Sequence, residues 1–139
     1  MKTPVLLLLT SVGLSASEFP TPYNSEPDKS GPMPAPEAAA RMRLPTGFRA
    51  SVFAAEPDVQ NPIAMAWDAR GRLWVAENYT YAEGGKKFDL NLRDRILIFE
   101  DTNNDGHFDK RTVFYDKLNY VTGIEVGFGG VYVCSTPRL

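Results

Sequence analysis

The chain has 139 residues, a formal net charge of -2, a charged fraction of 23% and a hydrophobic fraction of 43%. These are the values of an ordinary soluble domain, with no basic excess pointing to nucleic acid or an anionic membrane surface. Cys134 is the only cysteine and His107 the only histidine. An intrachain disulfide, a CxxCH-bound haem, an iron–sulfur cluster and a cysteine zinc knot are therefore excluded within these residues.

Residues 1–17, "MKTPVLLLLTSVGLSAS", run from Lys2 through the apolar stretch Val5–Leu14 to the small residues Ser15, Ala16 and Ser17. This is the layout of a secretory signal peptide, and the apolar stretch is too short to span a bilayer as a helix. The mature protein is expected outside the cytoplasm, periplasmic or at the cell surface. Residues 18–36 hold six prolines and read as an extended linker. "PEAAARM" (36–42) reads as a short helix with Pro36 in its first turn, which closes a linker region of 18–43.

From Leu44 the hydrophobic pattern takes a period of two. "GFRASVFAA" alternates Phe48, Ala50, Val52 and Ala54 against polar residues. "IAMAWD" alternates Ile63, Met65 and Trp67, and "RLWVAE" follows after Asp68-Ala69-Arg70-Gly71, a tight turn with glycine where positive φ is needed. Residues 62–77 thus read as a β-hairpin, with Trp67 and Trp74 as core residues. "RILIFED" (95–101) and "RTVFYD" (111–116) form a second hairpin. "VTGIEVGFGGVYVC" (121–134) repeats the first, with Trp74-Val75-Ala76 matching Tyr132-Val133-Cys134 at an offset of 58 residues. Cys134, in an apolar strand, is expected to be a small buried hydrophobe.

Short strands repeated at this spacing suggest β-propeller blades. The fold class expected is all-β: about one four-stranded propeller blade plus the start of the next, within residues 44–139. A lone blade would expose two apolar faces, so the sequence reads as the beginning of a larger protein; a small stand-alone β-domain is the alternative.

The second hairpin is closed by "DTNNDGHFD" (101–109). Calcium takes six to eight hard oxygens, and a loop supplies them when alternate residues point inward before a sharp turn. Asp101, Asn103 and Asp105 stand at positions 1, 3 and 5, Gly106 follows for the turn, His107 offers its main-chain carbonyl at position 7, and Asp109 stands at position 9. An EF-hand would need a glutamate at position 12 between helices. Position 12 is Thr112, in a strand, so the pattern is the shorter D-x-N-x-D-G-x-x-D loop. The bland alternative is an Asp/Asn/Gly turn with no metal; the five placed ligand positions favour calcium in a structural role. Between the hairpins, residues 76–94 form a polar insertion carrying Tyr79, Tyr81, Lys86, Lys87 and Arg93. It is either a solvated connector or part of a ligand-binding face. Asn78-Tyr79-Thr80 matches a glycosylation sequon, a weak signal.

The phrases "LPTGFRASVFAAEP" (44–57), "NPIAMAWDARGRLWVAENYTY" (61–81), "LRDRILIFEDTNNDGHFDKRTVF" (92–114) and "IEVGFGGVYV" (124–133) resemble the large exported planctomycete proteins termed membrane-bound dehydrogenases or PVC-type haem-binding proteins. Their N-terminal propeller is similar to that of the sorbosone/glucose dehydrogenase quinoproteins. The resemblance implies oxidation of a sugar or alcohol, with pyrroloquinoline quinone as cofactor and a downstream domain carrying haem c. No residue here matches a quinone ligand or catalytic base of that group. A non-catalytic surface propeller binding glycans or proteins is the alternative; a lactonase-like hydrolase is a third, weaker one.

Overall fold

A computed structural model describes residues 31–81, 89 and 91–136. Residues 1–17, read from the sequence as a signal peptide, and most of the proline-rich stretch 18–36 lie outside the described residues. The short helix is present as α1 (Ala35–Arg41), with proline in its first turn and an ion pair between Glu37 and Arg41 on an exposed surface. None of its residues is buried, so its packing contributes little. It is too short to be stable through its own hydrogen bonds.

The remainder is all-β, as expected. Strands β1 (Pro62–Trp67), β2 (Leu73–Glu77), β3 (Asp94–Glu100) and β4 (Lys110–Leu118) form an antiparallel meander in that spatial order. Strands β5 (Val121–Gly127) and β6 (Gly130–Ser135) form a separate two-stranded sheet. All three hairpins fall where the sequence places them. The first turn closes as read: Asp68 and Arg72 pair through their backbone, and Gly71 takes φ +74°. The third turn has Phe128 at φ 49° and Gly129 at φ 77°, the primed-turn geometry that matches strand twist.

Burial concentrates on β2 and β3. One face of the sheet presents Trp74, Ala76, Ile96 and Ile98, and is covered by Ile124, Val126, Val131 and Val133 of the β5–β6 hairpin. The other face presents Leu73, Val75, Leu97 and Phe99, and is covered by Phe53, Ala54, Val59 and Phe108. Phe108 meets Phe99 edge-on at 4.9 Å and Phe53 at 6.5 Å, so an acidic-loop residue closes part of the core.

Three expectations are corrected. Residues 47–55 form no strand. They cross a sheet face instead of joining its edge, and pack the partly buried adjacent pair Phe53 and Ala54 against it while Phe48 stays exposed. On β1 the alternation has the opposite sense. Ile63, Met65 and Trp67 are exposed, and Ala64 packs against the covered face. The large side chains lie where the cover formed by residues 53–59 reaches β2 and β3 but little of β1; Trp67 keeps only an edge contact with Phe53 at 5.7 Å. Trp74 is in the core, as expected. Cys134 is exposed, because it points away from the covered side of its hairpin.

The two short hairpins are structural repeats in detail. In the first, Pro62 pairs with Glu77, a bulge intervenes, and Ala64 pairs with Ala76. In the second, Val121 pairs with Ser135, a bulge intervenes, and Gly123 pairs with Cys134. Each is preceded by a left-handed residue, Asn61 at φ 42° and Tyr120 at φ 49°. The carbonyl of each accepts from the residue after the hairpin, Asn78 N at 3.1 Å and Thr136 N at 3.3 Å. The repeat seen in the sequence thus extends to the bulge and the backbone bonds around it, at an offset of 58 residues on the second strand and 59 on the first.

Candidate functional site

Antiparallel alternation puts the 68–72 turn and the acidic loop at one end of the meander. The described residues of the insertion, 78–81, 89 and 91–93, and the 119–120 corner lie at the other. The two ends differ in chemistry.

In the acidic loop, Asn104 (φ 61°) and Gly106 (φ 91°) turn the backbone back on itself. The Asp101 carboxylate accepts from Gly106 N at 2.8 Å and Asp105 N at 3.2 Å. These backbone donors, Gly106 first, hold its pKa below the usual carboxylate range. Asn103 Oδ1 accepts from the same Asp105 N at 2.9 Å, so the oxygens of positions 1 and 3 converge on one point. Asp105 accepts from His107 N at 2.8 Å and from Asn103 Nδ2 at 3.1 Å. Asp109 is drawn aside by Thr102, whose N and Oγ1 donate to it at 3.0 and 2.7 Å. The donor set fits a hard cation such as calcium: three carboxylates, an amide oxygen and a main-chain carbonyl. In this structure the carboxylates serve the loop's own amides. Among the described residues no three His, Cys, Asp or Glu side chains converge to hold a metal. His107 is exposed.

At the opposite end a buried polar hub joins the insertion to the β5–β6 hairpin. Asp94, fully buried, accepts four hydrogen bonds: Tyr79 N at 2.7 Å, Thr80 N at 2.8 Å, Thr80 Oγ1 at 2.9 Å and Val121 N at 2.7 Å. Asn78 donates Nδ2 to Val121 O at 2.8 Å and accepts from Tyr81 N at 2.9 Å. Thr80 Oγ1 accepts from Tyr120 N at 2.8 Å. A carboxylate taken out of water is tolerated only when its lone pairs are filled this completely. Beside the hub, buried Glu77 accepts from Gln60 N at 2.6 Å and Tyr79 OH at 2.8 Å and pairs with Arg95. Burial, with Glu77 adding to it, pushes the Tyr79 phenol above the ordinary tyrosine range although Arg95 opposes the shift. Folding therefore favours the neutral phenol, and its contribution declines as pH rises above about 10, where an unfolded tyrosine ionises. In a spectrophotometric titration Tyr79 should ionise above the ordinary tyrosine range; ionisation at about 10, the value of a free tyrosine, would contradict the packing.

The model of a domain of unknown function, DUF7133, matches residues 34–139. The chain belongs to the DUF7133 family. No curated protein and no solved structure matches it. The DUF7133 match begins at the proline before α1 and takes in every described strand and both ends of the sheet.

Of the residues read from the sequence as a ligand face, Tyr79, Tyr81 and Arg93 are described in this DUF7133 chain. Tyr79 belongs to the Glu77–Arg95 cluster, with the guanidinium over its ring at 5.3 Å. Tyr81 is 46% exposed, and its ring lies 6.5 Å from that of Tyr120. Arg93 donates to the Leu92 carbonyl at 2.7 Å. Lys86 and Lys87 lie outside the described residues. Asn78, the sequon asparagine, is buried and its amide is engaged, which leaves it closed to modification in the folded state. The Asp94 hub escapes sequence reading because an aspartate before a strand looks like a solvated charge. The signal for it is the run Arg93-Asp94-Arg95, three charges at the start of the buried strand β3.

At the near end, Asp68 works as the turn's organiser. It accepts from Arg70 N (2.9 Å), Arg72 N (3.0 Å), Arg72 Nε (2.6 Å) and Trp74 Nε1 (2.9 Å). Burial alone would raise its pKa, but these donors, Trp74 foremost, outweigh it and hold the carboxyl well below the usual range. A depressed aspartate stabilises the fold above the unfolded pKa, about 4, and that stability is lost progressively as pH falls below it. Asp68→Asn should therefore flatten the acid limb of a stability–pH curve measured by urea unfolding. An unchanged limb would contradict the assignment.

Proposed function

We propose that this DUF7133 chain is a scaffold segment of an exported β-propeller protein: one complete blade, β1–β4, stacked on the first hairpin of the next. The observation that carries this reading is the repeat itself. The β5–β6 hairpin reproduces the β1–β2 hairpin, bulge included, and sits on its face. In the whole propeller we place oxidation of a sugar or alcohol, with pyrroloquinoline quinone as cofactor and electron transfer to haem c. This rests on sequence resemblance to the exported planctomycete dehydrogenase-type proteins. The chain's own residues supply stacking surfaces, and none of the described ones is assigned a proton-transfer or quinone-binding role. Purified chain supplied with quinone, calcium and an electron-accepting dye should oxidise no sugar or alcohol. Turnover abolished by heat would overturn the scaffold reading. A second reading, glycan binding, is favoured by Tyr81 beside Tyr120 at the insertion end; glycan-array binding lost in Tyr81→Ala would select it.

We also propose that the acidic loop holds calcium as a structural staple, using side-chain oxygens of Asp101, Asn103, Asp105 and Asp109 and the carbonyl of His107. Bound calcium would neutralise clustered carboxylates beside Phe108, whose ring closes the core. Calorimetric titration of the full chain should show calcium binding that Asp105→Ala weakens by at least about tenfold, as expected when one of few charged ligands is lost. Equal binding by both proteins would remove the support for the site.

A further inference from the structure

We infer that the outer face of the β5–β6 hairpin, centred on Tyr132 and Cys134, is a docking surface for one further β-hairpin of the same repeat. The inference rests on the blade reading and specifies which surface takes the next unit. In the first unit Ala64, Ala66, Trp74 and Ala76 share a face by register, and the β5–β6 hairpin covers it with Ile124, Val126, Val131 and Val133. Pairing register carries those four positions onto Gly123, Glu125, Tyr132 and Cys134. The pattern of one large aromatic among small neighbours is kept, with Glu125 as the departure. Trp74 is 5% exposed under its cover, whereas Tyr132 is 56% exposed. Beside Tyr132 lies an open hollow of about 430 Å³ that Glu125, Val126, Gly127 and Phe128 also line.

The opposite face of the first unit is covered over β2 and β3 by Phe53, Ala54, Val59 and Phe108, while Ile63, Met65 and Trp67 of β1 stay exposed. The Tyr132 face has no such cover among the described residues. Its occupant is a hairpin with β-branched residues at alternate positions, since that is what covers the equivalent face. A second copy of the chain fits less well. Two strands of six or seven residues offer roughly 200 Å² of face, far below the roughly 800 Å² per partner of a stable interface.

The test appends one repeat, a second copy of residues 79–136 with its cysteine changed to serine, after Thr136 of the full chain. Cys134 then reports on the face. Alkylation by iodoacetamide should be fast in the unextended chain and at least about tenfold slower in the extended one, as for a group reached only by local opening. Tyr132→Lys should restore the fast rate. Unchanged alkylation in the extended chain overturns the inference, whether hydrogen exchange shows the appended repeat folded or unprotected. Protection that instead grows with concentration of the unextended chain assigns the face to a dimer and also overturns it. None of these outcomes bears on the dye-linked or calcium measurements, which test the preceding proposals separately.

Discussion

Replacing Asp94 with alanine should lower stability by at least about 3 kcal/mol, because each buried donor left without a partner costs about 1–3 kcal/mol. Four donors lose their acceptor together: the amides of Tyr79, Thr80 and Val121 and the Thr80 hydroxyl. For a domain of this size that is a fall in melting temperature of at least about 12 °C. Asp94→Asn should recover only part of the loss, since its NH2 group would face donors. The location of the loss is as telling as its size. Val121 begins β5 and Thr80 lies in the insertion, so the variant should loosen the β5–β6 hairpin from the meander while β2 and β3 keep their pairing. A small effect, below about 1 kcal/mol, would match a solvated surface aspartate and would refute the hub.

Replacing Phe99 with alanine should cost about 3–5 kcal/mol, the range for a buried aromatic whose site cannot collapse. Phe99 is fully buried opposite Leu73, in one cluster with Val75 and Leu97, and its ring meets Phe108 of the acidic loop. The cavity would therefore also reach the loop. If the loop holds calcium, Phe99→Ala should weaken that binding although Phe99 is no ligand. Phe48→Ala serves as the control. Phe48 is 73% exposed and its loss should stay within about 0.5 kcal/mol. Similar losses at the two positions would contradict the assignment of the core to β2 and β3.

Hairpins and turns were legible because their signals are local. Gly71, Gly106 and Gly129 take the positive φ that their turns demand, and strand runs of period two flank each turn. The repeat was legible for the same reason, as a recurring strand–turn–strand phrase. What covers a face was not legible, because that is a property of distant residues. Periodicity gives Met65 and Trp67 the same weight as Val75 and Leu97, yet residues 53–59 cover only the latter pair well. Cys134 reads as core from its neighbours and is exposed because nothing described lies over its side of the hairpin. The acidic loop was legible from its Asp, Asn and Gly residues as the turn that closes the β3–β4 hairpin. The diversion of Asp109 to Thr102 was not, since a threonine between two aspartates carries no sign of which one it will bond. The Asp94 hub, with partners at sequence separations of 14, 15 and 27, exists only once the insertion and β5 meet.

The central claim is that meander and hairpin form one stacked unit joined by Asp94, and native-state hydrogen exchange tests it most directly. The amide of Val121, which donates to a side chain and not to a neighbouring strand of the meander, should exchange as slowly as those of Leu97 and Val75. In Asp94→Ala it should exchange much faster while Leu97 stays slow. Rapid exchange at Val121 in the unaltered chain, with protection confined to β1–β4, would show that the hairpin is not stacked on the blade and would contradict the account.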